Sequence, residues 1–195
     1  MKSLLLALAM AWAGGAAAAT ATSGLPHDAL EDQALSQPDE VLRKLPPLVA
    51  QARQRNDHQA QALLALAKAN ACRVVADWPC QRRAGAEARA AAEAAHAPLL
   101  QARGLIAEAR ALIAMQDFSR GEELLGRAEL VLKSSPSPEL SADVYLAYSS
   151  LSNALGKHAL SAEYANRGLA VLRPDQALPM RVRLLRNLAR AQTQL

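Results

Sequence analysis

Arg181, Arg183, Arg186 and Arg190 crowd one short stretch of the chain, and no acidic residue follows Asp175. A guanidinium offers a planar fork of N–H donors that grips a carboxylate through two parallel bonds, so such a row on a helix face is anion-binding chemistry. The competing reading is a solvated basic face, the polar outside of a capping helix. Cys72 and Cys80 are the other reactive pair. His27, His58, His96 and His158 are dispersed, none of them beside a candidate nucleophile or placed with the cysteines at metal-ligand spacing. The chain has no Gly-x-Ser-x-Gly elbow, no phosphate-cradling glycine loop and no His-Glu-x-x-His motif. Glu87, Glu93, Glu108, Glu122, Glu123 and Glu129 stand at helical spacings beside Arg, the pattern of a salt-bridged solvated face. The expectation is a binding protein rather than an enzyme, with no cofactor and no metal.

The elements that position these groups are expected to be helices. Ala supplies 45 of the 195 residues, against 8 Val, 2 Ile and 1 Phe. Ala, Leu, Arg, Glu and Gln favour helix, whereas a sheet core wants β-branched and aromatic side chains. Small residues recur at Ala69, Ala109, Ser149 and Ala189, a constant step of 40, and again at Ala88, Ala128 and Gly168. Leu105, Tyr145 and Leu185 keep the step, as do Ala102, Ala142 and Val182. Turn signals follow it too, at Asp77-Trp78, Asp117-Phe118 and Lys157-His158, while Pro98 and Pro138 open helices and Pro179 falls one residue out of step. The pattern predicts helices over 39–54, 58–76, 80–95, 98–115, 119–133, 138–155, 159–172 and 176–195. Pro46-Pro47 should kink or shorten the first of them.

The N-terminus has the three parts of a secretory signal peptide. Lys2 is its positive region, Leu4 to Trp12 its apolar core, and Ala16 to Ala21 offers overlapping Ala-x-Ala cleavage sites. That core is shorter than the roughly 20 residues a membrane span needs. The expected layout is a signal peptide over 1–21, a flexible segment over 22–38 and a helical domain over 39–195, exported most plausibly to a bacterial periplasm. The net charge of +4 is too mild to argue for nucleic acid. In an oxidising compartment Cys72 and Cys80, facing each other across the turn Asp77-Trp78-Pro79, are expected to form a disulfide, the alternative being two buried thiols.

The series Ala109, Asp117-Phe118 and Ala128, followed by Ser149 and Gly168, resembles the tetratricopeptide repeat. That family keeps a small residue in its first helix, an aspartate-aromatic turn and an alanine late in its second helix. The separation from Ala109 to Ala128 matches the family, but the period is 40 rather than about 34. The extra residues lie between Ala128 and Ser149, so the connection between pairs is expected to be longer. A generic array of helical hairpins is the alternative fold. The resemblance implies an all-α superhelical array whose first helices line a concave groove. It places Arg183, Arg186, Asn187 and Arg190 on that groove, with Arg103 and Arg110 at equivalent positions two units earlier. Peptide-binding members clamp a carboxylate with such side chains, which implies an acidic protein or peptide partner here. By composition and architecture alone the chain also resembles the periplasmic sensory regions of bacterial signalling proteins, including some diguanylate cyclases. A sensory region of a larger membrane protein is therefore the second functional expectation, and a periplasmic enzyme a distant third.

Overall fold

The computed structural model describes residues 27–175 and 177–195. The expected signal peptide lies outside them. The described residues form helices α1 (His27–Ser36), α2 (Pro38–Gln54), α3 (His58–Val74), α4 (Trp78–Ala94), α5 (Pro98–Ala114), α6 (Phe118–Ser134), α7 (Pro138–Ala154), α8 (His158–Ala170) and α9 (Leu178–Gln192). From α3 onward each helix begins 20 residues after the last, so the 40-residue repeat is a pair of equal strides.

One turn chemistry sets that stride. Asn56, Ala76, His96, Gln116 and Gly156 each adopt a positive φ, the left-handed residue that closes a helix C-terminus. The amide after it folds back on the preceding helix: Asp57 N–H to Ala52 O, Asp77 to Cys72 and Asp117 to Leu112, all at 2.9 Å. The same aspartate then opens the next helix, its carboxylate accepting from Ala60 N and Cys80 N at 2.9 Å and from Arg120 N at 3.4 Å. One residue therefore ends one helix and begins another. Where proline forbids positive φ, at Pro136, Ser137 still caps α7 by accepting from Leu140 N at 3.3 Å. Before Pro174 the chain cannot stay helical, and α8 stops early at Ala170. Only Gly156 holds the left-handed position without a Cβ penalty. Gln116→Gly is accordingly expected to raise stability by about 0.5–1 kcal/mol, and Gly156→Ala to lower it by about the same amount, both read as urea midpoint shifts.

Each helix packs on its sequence neighbours. The odd-numbered helices also touch one another in succession, whereas the even-numbered ones do not. The array is thus more tightly spaced along α1, α3, α5, α7 and α9, which form its inner layer. Its core is thin and continuous. Leu105, Leu125, Ala109 and Ala128 are fully buried between α5 and α6, and each such leucine stabilises by about 1.5–3 kcal/mol. At α4 and α5 the backbones themselves meet. A Cβ placed on Gly85 would lie 2.6 Å from the amide nitrogen of Glu108, and one on Gly104 would lie 2.6 Å from that of Arg89.

Several expectations change. Residues 27–36, expected within a flexible segment, form α1, with Leu30 and Ala34 buried against α2 and α3. Pro46 and Pro47 do not shorten α2, because both sit on its exposed side, where the carbonyls they strand can meet water. The connection between α6 and α7 is no longer than the turns within pairs. The added length lies in the helices, most of which span 17 residues. Pro179 is not out of step: it is the second residue of α9, as Pro79 is of α4. Cys72 and Cys80 form a disulfide that bridges α3 and α4, with their Cα atoms 5.8 Å apart.

Candidate functional site on the inner layer

Four inner-layer helices each contribute one charged side chain to a single cluster. Arg73 comes from the last turn of α3, Arg110 from α5, Asp143 from the first half of α7, and Arg183 from the first half of α9. Arg110 donates to both the carboxylate and the carbonyl of Asp143. Both side chains are largely withdrawn from water, at 20% and 15% exposure. Arg73 and Arg183 lie close enough to feel both charges of that pair. Burial, then repulsion from Arg110, presses the Arg73 guanidinium below its usual range, while Asp143 opposes the shift. Burial and Arg110 likewise bring Arg183 down to about 10; Asp143 again opposes, and Arg73 and Arg186 add further repulsion. At neutral pH all three guanidiniums remain charged. Three cations therefore share one carboxylate in a half-buried setting where charge is poorly screened.

No family model, curated protein or solved structure matches the chain. The arrangement of these side chains is therefore the only guide to function. A dense positive site with a single resident anion favours an incoming carboxylate, phosphate or sulfate that takes up the uncompensated charge. Arg guanidiniums suit such a role because they bind in a bidentate manner.

The sequence-predicted residues divide. Arg110 and Arg183 belong to the cluster, and Arg186 stands exposed beside it. Arg103 is engaged elsewhere: it pairs with Glu31 of α1, which also accepts from Asn70 at 3.4 Å. Asn187 donates to Ser149 and Ser150 at 3.3 and 3.1 Å, tying α9 to α7. Arg190 is exposed at the far end of α9. Arg73 and Asp143 were not anticipated. Asp143 was legible, since it shares the 40-residue register of Arg103 and Arg183, whereas Arg73 shares its register only with Ile113, Asn153 and Thr193.

Other features are weaker candidates. A largely apolar cleft of about 690 Å³ lies between α2 and α4, floored by Leu64 and Ala65 of α3, with the Lys68–Glu87 pair at its rim. Tyr148 and Tyr164 stack at 4.9 Å, and Tyr148 donates to Glu129 at 3.3 Å. Burial first, then Glu129, holds the Tyr148 proton well above the phenol range, which suits a fixed donor. Among the described residues no three His, Cys, Asp or Glu side chains are grouped to hold a metal, and no helix is long and apolar enough to cross a membrane.

Proposed function

We propose that this protein is an exported scaffold of tetratricopeptide-like helix pairs that binds an acidic segment of a protein or peptide partner along its inner layer. The observation that carries the reading is the convergence of Arg73, Arg110 and Arg183 on the lone carboxylate of Asp143. The mid-helix contact of Ala109 with Gly121 and the aspartate-capped turns support helix pairs of that kind. The Cys72–Cys80 bridge supports an oxidising compartment. In this reading the ligand contributes anionic groups, the arginines supply bidentate donors, and the chain performs no covalent step.

A fluorescein-labelled hexaglutamate peptide, titrated by anisotropy, is the direct probe. Saturable, salt-sensitive binding is expected, weakened about tenfold or more by Arg73→Ala or Arg183→Ala, the cost of one lost charge-assisted bond. Asp143→Asn is expected to act in the opposite direction and tighten binding several-fold, because it removes the competing anion. Equal affinity across all four proteins, with unchanged circular dichroism, would exclude the site.

A further inference from the structure

The outward side of α9 repeats a face that the array elsewhere covers with a helix. Val182, Leu185 and Ala189 occupy the register of Ala102, Leu105 and Ala109 in α5, which are fully buried. The covering neighbour is the following even-numbered helix. Gly121 of α6 packs so closely that a Cβ there would sit 3.3 Å from the Ala109 carbonyl. In α7 the same register is covered by α8: Ser161 donates to the Ser149 carbonyl at 2.8 Å, and Gly168 lies against Tyr145. In α9 the stripe is open, with Val182 at 64% and Leu185 at 49% exposure, and Ala189 exposed beside them. Single exposed apolar residues mean little, but this set is one contiguous face whose two internal equivalents are both covered.

A second register shows what α9 does not accept. Leu66, Ile106 and Leu146 are buried in α3, α5 and α7; Leu66 packs with Leu100 of the next odd-numbered helix, and Leu146 with Leu184. The α9 residue at that step is Arg186, and it is exposed. A further inner-layer helix stacked there would bury an unpaired guanidinium, which is strongly unfavourable. The face therefore suits one covering helix, not another pair.

Charge narrows the occupant. Arg181 flanks the stripe on one side and Arg186 and Arg190 on the other, with no acid in the helix. Inside the array such cations meet acids across helices, as in Arg89–Glu108 at 3.4 Å and Lys68–Glu87 at 3.5 Å. Two copies of α9 packed together would oppose eight arginines, two sets of the four in each helix, at a cost in like-charge repulsion. The stripe also lacks the aromatic and long apolar side chains with which a surface helix seats in lipid.

We propose that α9 docks a single amphipathic helix of a partner protein, acidic on its flanks and bearing small residues seven apart, as Gly121 and Ala128 or Ser161 and Gly168 are. The probe is a labelled peptide of residues 118–134 carrying Arg120→Glu, Arg127→Glu and Lys133→Glu, titrated with the full chain. Saturable binding is expected, at least about tenfold tighter than that of a scrambled peptide of the same composition. Leu185→Asp, an exposed change that circular dichroism should show to be folded, is expected to weaken it about tenfold, and Arg181→Glu to weaken it as well. Absence of binding, equal binding of the scrambled peptide, or indifference to Leu185→Asp would overturn the proposal. So would self-association in sedimentation that Leu185→Asp abolishes, which assigns the face to a second copy. Leu185-dependent retention on phosphatidylglycerol vesicles would assign it instead to a membrane and overturn the proposal equally.

Discussion

Gly104→Ala is expected to lower stability by about 2–3 kcal/mol, although alanine is the better helix former by about 1 kcal/mol. The added methyl would lie 2.6 Å from the Arg89 amide nitrogen and 3.0 Å from the Gly85 carbonyl oxygen. Both neighbours are backbone, so no side chain can swing aside; α4 and α5 must move apart along a contact that also carries the Arg89–Glu108 ion pair. Gly85→Ala should behave alike, since its Cβ would meet the Glu108 backbone at 2.6 Å. Gly126→Ala is the internal comparison. Its Cβ would have only the Tyr148 hydroxyl nearby, at 3.9 Å, and it should be neutral or stabilising by up to about 1 kcal/mol. Urea unfolding of the three variants checks the set. A Gly104→Ala midpoint at or above that of the native chain would show that the two helices are not in backbone contact.

Removal of the disulfide has the second large effect. Cys72→Ala with Cys80→Ala, or reduction of the native chain, is expected to cost about 2–3 kcal/mol, the chain-entropy value for a short closed loop. The protein should remain folded, because the turn between α3 and α4 keeps its own fastening: the Asp77 amide reaches Cys72 O and its carboxylate caps Cys80 N. Urea midpoints with and without reductant give the comparison, and the double-alanine chain should show no reductant dependence. Coincident midpoints for the native chain in both conditions would mean that the bridge adds nothing to stability.

The array was legible because its signals are local and repeated. Small residues at Ala109 and Ala128 and aspartates at Asp77 and Asp117 recur at a fixed step, and each marks a contact or a cap that the fold then uses. The finer stride of 20 was also written in the chain, through Asp57, Asp77 and Asp117, but equal helices with shared caps mask the difference between the turn within a pair and the turn between pairs. α1 was not legible. Its buried side chains are only Leu30 and Ala34, a single turn of periodicity, and its helicity rests on packing against its neighbours rather than on propensity. That omission also hid the partner of Arg103, since Glu31 lies on the unread helix. The arginine cluster was half visible. Arg110 and Arg183 shared a pattern, but Arg73 at the end of α3 looks like an ordinary cation near a helix C-terminus. Only the stacking of four helices brings it beside Arg183, 110 residues further along the chain.

The shared aspartate of each turn has a consequence for how this chain can change length. A residue that finishes one helix while starting the next leaves no slack in which an insertion can be absorbed. One residue added within a helix turns everything beyond it by about 100° and carries its polar side inward. Two whole helices added or removed, from one aspartate to the aspartate 40 residues on, leave every remaining face where it was. Growth and shortening of this molecule are therefore quantised, and the unit is the pair.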